Sequence, residues 1–130
     1  MGVPVKYTPI KCMALSDLGV QKNQYNNFVH YVFKFTDKDF AVIAGTSART
    51  LSRLKPTQKI PKQAAEVTIS LMRAYSKATE IFGSEETAVR WLKESNRALG
   101  GISPVQAMSS RFGAEEVMNM LGRMEYGVYS

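Results

Sequence analysis

The strongest constraint on this chain is a segment, Pro61 to Phe82, that is apolar around most of its circumference. Two rows of apolar or small side chains run along it at helical spacing. One is Ala64, Thr68, Leu71, Tyr75, Ala78 and Phe82; the other is Val67, Leu71, Ala74, Ala78 and Ile81. The charged positions Glu66, Arg73, Lys77 and Glu80 leave only a narrow polar stripe. Pro61 suits the first turn of a helix and Gly83 a left-handed stop. A helix this widely apolar must be covered by neighbours on most sides, which predicts a central helix in an all-α fold. No apolar run in the chain reaches the length that crossing a bilayer needs.

The flanking segments carry helix punctuation. Residues 1–22 hold Gly2, Pro4, Pro9 and Gly19 without a clear period, and are expected to form a loose N-terminal arm. From Asn23 to Phe35, Phe28, Val29, Val32 and Phe35 fall at helical spacing, with Asn23 as a cap, although the β-branched and aromatic content leaves a strand open. Thr36 can cap a short helix with Asp37 and Asp39 in its first turn, ending near Ala44-Gly45. Ser47 or Thr46 caps a second, which runs to about Leu54 and stops before Pro56. After the long helix, Ser84 caps a segment with Ala88, Val89, Trp91 and Leu92 on its apolar face. Gly100-Gly101 is a turn. Ser103-Pro104-Val105-Gln106 reads as a capping box opening a helix that ends before Gly113. A last helix from Ala114 buries Val117, Leu121 and Met124 and stops at Gly127. Three regions result: the arm 1–22, a short-helix region 23–60, and a C-terminal region 61–130.

Composition narrows function more than fold. Cys12 is the single cysteine, so no internal disulfide can form and a reducing cytoplasm fits. The start Met1 to Lys6 lacks the apolar stretch of a secretory signal, and Lys6 breaks the myristoylation pattern. His30 is the one histidine, and one Cys with one His cannot make a structural zinc site. Neither GxGxxG nor GxxxxGK[ST] occurs. The expectation is a cytoplasmic non-enzyme with no catalytic residue, cofactor, metal or membrane contact. Charge is uneven: residues 34–77 carry nine bases against three acids, whereas from residue 78 onward seven acids face five bases. A basic middle beside an acidic end suggests two surfaces with different partners.

The basic part has the form of a helix-turn-helix, two helices joined by a tight turn, with the second exposed to the major groove. Gly45 supplies the turn and Ala41, four residues earlier, the small side chain beneath it. Phe40, Ala44, Leu51 and Leu54 fall on the inner faces. Thr46 stands where a larger apolar residue is common. The outward residues Ser47, Arg49, Ser52 and Arg53, followed by Lys55 and Lys59, are the candidate DNA contacts, arginine for guanine edges or phosphate and serine for phosphate.

The C-terminal half carries a resemblance. Ile81-Phe82-Gly83, Ala88, Trp91-Leu92, Asn96, Ala98-Leu99-Gly100-Gly101, Pro104, Gly113-Ala114, Val117, Leu121, Arg123 and Gly127-Val128-Tyr129-Ser130 together resemble the Xre/MbcA/ParS antitoxins, partners of RES-domain toxins. Gly45-Thr46-Ser47, Arg49-Thr50-Leu51 and Arg53 resemble the Xre-like helix-turn-helix of that family. The match covers about residues 36–130. Ser95, Met108 and Ser110 depart from it, standing where proline, leucine and threonine are usual. The resemblance implies an all-helical antitoxin whose C-terminal domain covers the toxin's NAD-binding pocket, and a complex that represses its own operon. The toxins of that family consume NAD or transfer ADP-ribose from it.

Within that frame the candidate toxin contacts are the turn Gly100-Gly101, Met120, Arg123, Tyr126 and the tail Val128, Tyr129 and Ser130. Methionine adapts to irregular partner surfaces. Met118 and Met120 cannot both share the Val117-Leu121 stripe, whereas Trp91 and Met124 are expected in the core. A tail released after Gly127 could plug a pocket, its terminal carboxylate near a site built for phosphates. A homodimer through the long helix or through the helix-turn-helix half is expected, since the long helix carries surplus apolar surface and a palindromic operator needs two copies. The other class of function is a stand-alone DNA-binding regulator without a toxin.

Overall fold

The computed structural model describes residues 7–127. Its elements, in chain order, are α1 (Pro9–Leu18), α2 (Lys22–Tyr25), a π-helix (Asn26–Val32), α3 (Asp37–Ala44), α4 (Ala48–Arg53) and α5 (Lys62–Phe82). Then come α6 (Glu85–Lys93), a 3-10 turn (Arg97–Leu99), α7 (Pro104–Ala107) and α8 (Arg111–Glu125). Among the described residues there is no strand, and one isolated bridge pairs Gln21 with Lys59. The fold is all-α, and no described helix is long and apolar enough to cross a membrane.

The apolar rows dictate the architecture as expected. α5 is central and touches α1, α3, α6 and α8. Ala64, Val67, Leu71, Ala74, Tyr75 and Ala78 are buried, and Glu66, Arg73 and Glu80 stay exposed. The surplus apolar surface expected to drive dimerisation through this helix is therefore covered within one chain. Lys77 binds Glu125 at 2.5 Å and joins the C-terminal ends of α5 and α8. That carboxylate raises the Lys77 pKa.

Three local expectations fail. From residue 9 on, the loose arm is a packed helix. Thr8 accepts the Lys11 N–H as cap, Pro9 sits in the first turn, and Cys12 is buried. α1 runs antiparallel to α5, with Tyr7 N–H donating to Ser76 Oγ, Ser16 Oγ to Glu66, and Ile60 N–H to Val20 O. Burial pushes the Cys12 thiol up, so it stays neutral. Of residues 23–35 the stretch to Val32 is helical, but the cap is Gln21 in a capping box with Gln24, the second part is a π-helix, and residues 33–35 lie beyond its end. Finally, Gly113 breaks no helix. α7 ends at Ala107, Ser110 caps α8, and Gly113 is an early residue of α8. A Cβ there would lie 2.0 Å from the Ala107 carbonyl oxygen, so glycine is required by close approach and not by a turn.

The N-terminal layer rests on aromatic edges. Phe28 meets Tyr7, Phe33 and Tyr75 at centroid distances of 5.4, 5.1 and 5.5 Å. Lys93 of α6 donates to Phe33 O and sits over the Phe35 ring. The capping expectations at Thr36, Ser47, Ser84 and Ser103 all hold.

Candidate functional site

Two surfaces hold the candidate residues. The first is the α3–α4 hairpin. Gly45 has φ 69°, and the N–H groups of Gly45 and Thr46 close back on Ala41 O, the helix end that a left-handed residue permits. Phe40, Ala41, Ala44 and Leu51 are buried and Leu54 is half-buried. This leaves Arg49 and Arg53 exposed one turn apart on α4, with Lys55 and Lys59 exposed beyond it. Ser47 and Ser52 are also exposed, but their hydroxyls serve the helix. Ser47 Oγ accepts the Thr50 N–H, and Ser52 Oγ donates to Ala48 O at 2.7 Å. The Lys59 stem lies against Gly19.

The hairpin is braced by residues outside it. Lys22 is buried, and its Nζ donates to Leu51 O near the C-terminal end of α4, where the helix dipole favours a cation. Tyr25 OH donates to Asp37 Oδ1 at 2.7 Å, and the same oxygen lies 2.9 Å from His30 Nε2. His30 Nδ1 lies 2.7 Å from Phe35 O. Burial first, then the Asp37 contact, raises the Tyr25 pKa far above its usual value. The three side chains thus fix the start of α3. Nothing in the spacing of Lys22, Tyr25 and Asp37 had marked them for this.

The second surface runs over α6 to α8. Gly100 and Gly101 have φ of 73° and 95° and are exposed. They close a loop around Asn96, whose Oδ1 accepts the Ala98 N–H and whose O accepts the Gly101 N–H. Backbone geometry therefore accounts for both glycines. Met120 corrects the sequence expectation: it is 2% exposed and belongs to the core side of α8 with Val117 and Leu121, while Met118 is half-buried. Met124 is half-buried against the core, and so is Trp91, 5.9 Å from the Phe82 ring. Arg123 donates to Glu116 Oε2 at 3.0 Å. Tyr126 is 82% exposed. Val128, Tyr129 and Ser130 lie outside the described residues.

Two features of this surface were not anticipated. Phe112 is 84% exposed, and with Asn119 and Tyr126 it lies along the outer face of α8 at two-turn spacing. Gly122 lies within α8 where an added Cβ would meet nothing within 4 Å. Beside α8, an open groove of about 430 Å³ runs against the N-terminal half of α5, walled by Glu66, Val67, Arg73, Met108, Arg111 and Met118 among others. Among the described residues no group of three or more His, Cys, Asp or Glu side chains is placed to hold a metal.

Comparison with known proteins falls on this second surface. Residues 77–127 match the family described as the antitoxin Xre/MbcA/ParS C-terminal toxin-binding domain. The chain is 31% identical over 98 residues to antitoxin Xre of Photorhabdus laumondii, a match covering 74% of the chain and 66% of that relative. It is 28% identical over 88 residues to antitoxin Xre of Yersinia enterocolitica, covering 66% of the chain and 60% of the relative. The match thus spans a little under two thirds of the length of each relative.

Proposed function

The chain belongs to the Xre/MbcA/ParS antitoxin family, and on that premise we propose that it neutralises a RES-domain toxin through residues 77–127 and docks on operator DNA through the α3–α4 hairpin. One observation carries the toxin side. Within 77–127 the exposed large apolar side chains are Ile102, Phe112 and Tyr126, and two of them stand at the ends of the outer face of α8. Exposed aromatics of this kind are the usual anchors of a protein interface. Between them Gly122 leaves room for a partner's backbone. Tyr126 leads into residues 128–130, which we place at the mouth of the toxin's NAD pocket. Arg123, already bonded to Glu116, sets the docking edge.

On the other surface Arg49 and Arg53 contact bases or phosphates and Lys55 and Lys59 contact phosphates. Ser47 and Ser52 shape α4 and meet DNA only through their exposed edges. Two copies reading a palindrome complete the proposal, in the cytoplasm and with no chemistry of the chain's own. Since α5 is covered, the copies meet elsewhere.

The test is co-expression with a RES-domain toxin, scored for complex formation and for NAD loss. The full chain is expected to co-purify and to stop NAD consumption. Removing residues 128–130 is expected to keep the complex and restore NAD loss. Retained inhibition moves the block to the helical face. A chain that binds DNA but forms no complex is a stand-alone regulator.

A further inference from the structure

Beside the C-terminal end of α4 lies an open cleft of about 490 Å³, walled by Asn23, Asn26, Asn27, His30, Tyr31 and Pro56. All but Pro56 come from α2 and the π-helix, the segment whose asparagines and Tyr31 the antitoxin reading leaves without a task. A π turn bonds residues five apart, as Phe33 N–H does to Phe28 O at 3.1 Å. Asn26 and Tyr31 therefore stack on one face, where an α-helix would splay them. Burial of Phe28 and Val29 explains why the segment is helical. It does not explain the amides and the phenol on the opposite side. Asn23, Asn27 and Tyr31 are exposed, Tyr31 at 68%.

The cleft is clamped to α4. Asn23 N–H donates to Pro56 O at 2.9 Å, and Lys22 Nζ donates to Leu51 O. Pro56 directly follows Lys55 and stands three residues after Arg53, both exposed. His30 is a wall and not a contact, because its nitrogens lie against Phe35 O and Asp37. The Asp37 carboxylate behind it also accepts from Tyr25. Charge names the partner. From Leu18 to Thr36, and again from Phe40 to Ala65, the chain has no Asp or Glu. The same stretches expose Lys34, Arg49, Arg53, Lys55, Lys59 and Lys62. Such a surface fits a polyanion, and neutral amides and hydroxyls beside it are the groups that position a phosphate backbone.

We propose that this cleft seats the sugar-phosphate backbone of the DNA duplex that α4 engages, with Asn23, Asn27 and Tyr31 donating to phosphate oxygens next to the α4 contact. The proposal rests on DNA binding by α4 and extends its footprint onto the N-terminal segment. Phosphate contacts carry no sequence preference, so a duplex of arbitrary sequence is a sufficient probe.

The experiment is fluorescence anisotropy of the full chain on a duplex of about 30 base pairs, titrated between about 50 and 200 mM salt. Asn27→Ala combined with Tyr31→Phe is expected to weaken binding by about tenfold or more. The slope of log K against log salt stays at the wild-type value, since no cation is removed. Arg53→Ala weakens binding and also reduces that slope by about 0.9. Asn27→Asp, which sets a like charge against phosphate, weakens binding further than the alanine does. Asn27 and Tyr31 are exposed, so the melting curves stay at wild type and separate a lost contact from a lost fold. Unchanged affinity of the double variant beside a weakened Arg53→Ala protein overturns the cleft and leaves α4 standing. A wild-type chain that fails to bind at the lowest salt overturns both.

Discussion

Phe28→Ala is expected to destabilise the fold by about 3–5 kcal/mol, with a fall in Tm of roughly 10–20 °C. Phe28 is fully buried, and its ring is edge-on to Tyr7, Phe33 and Tyr75, which belong to the chain start, the turn after the π-helix and α5. Truncation leaves a void that three aromatic rings border, and rigid rings collapse poorly into a void. Tyr31→Ala in the same π-helix, at a side chain 68% exposed, is the control and should shift stability by less than about 0.5 kcal/mol. Chemical denaturation of the two variants decides the matter. A loss below about 1 kcal/mol for Phe28→Ala would mean that the layer before α3 adds little to the core.

The consequence reaches the α3–α4 hairpin. α4 is a six-residue helix, too short to hold itself in place. Its C-terminal end is held by Lys22 and the start of α3 by Tyr25 and His30, all three on the segment that Phe28 anchors. Tyr25 also packs edge-on against Phe40 of α3 at 5.4 Å. The proposed DNA-facing hairpin is thus supported from its N-terminal side. Loosening Phe28 should blur the positions of Arg49 and Arg53 before the C-terminal half is affected.

Much of this was legible because helix ends announce themselves. Thr36, Ser47, Ser84 and Ser103 cap where they stand in the sequence, since a side-chain oxygen at that position meets an orphan N–H whatever the tertiary context. α1 was hidden for the opposite reason. Ile10, Met13 and Leu18 are exposed while Cys12 is buried, so apolar residues lie on both of its sides and no period emerges. The local cue, Thr8 before Pro9, was present. Met120 was legible too: it stands three residues after Val117 and one before Leu121, the spacing of a buried stripe. The outward aromatics Phe112 and Tyr126 could not be found this way, because residue type alone does not tell an anchor from a core side chain. Tyr126 entered through the helix stop that follows it, and Phe112 was missed.

Glycine shows the same ambiguity at its sharpest. Gly113→Ala and Gly122→Ala, one substitution made twice in α8, are expected to act in opposite directions on stability. At Gly113 the new methyl group would meet the Ala107 carbonyl, backbone that cannot swing aside, and α7 would have to move off α8. Overpacking of this kind destabilises by about 1–3 kcal/mol or more. At Gly122 the methyl group meets nothing, so alanine should stabilise α8 by about 0.5–1 kcal/mol. A glycine that weakens a helix without relieving any contact inside the chain fits a face approached closely from outside. Gly122→Ala is therefore expected to melt at a higher temperature than wild type yet to bind the toxin at least about tenfold more weakly, a penalty of about 1.4 kcal/mol. Gly113→Ala should lose both together. Melting curves read beside titration with the toxin separate the two. Wild-type affinity in a firmer Gly122→Ala protein would move the contact off the outer face of α8 and onto the groove that Arg73, Met108 and Met118 line.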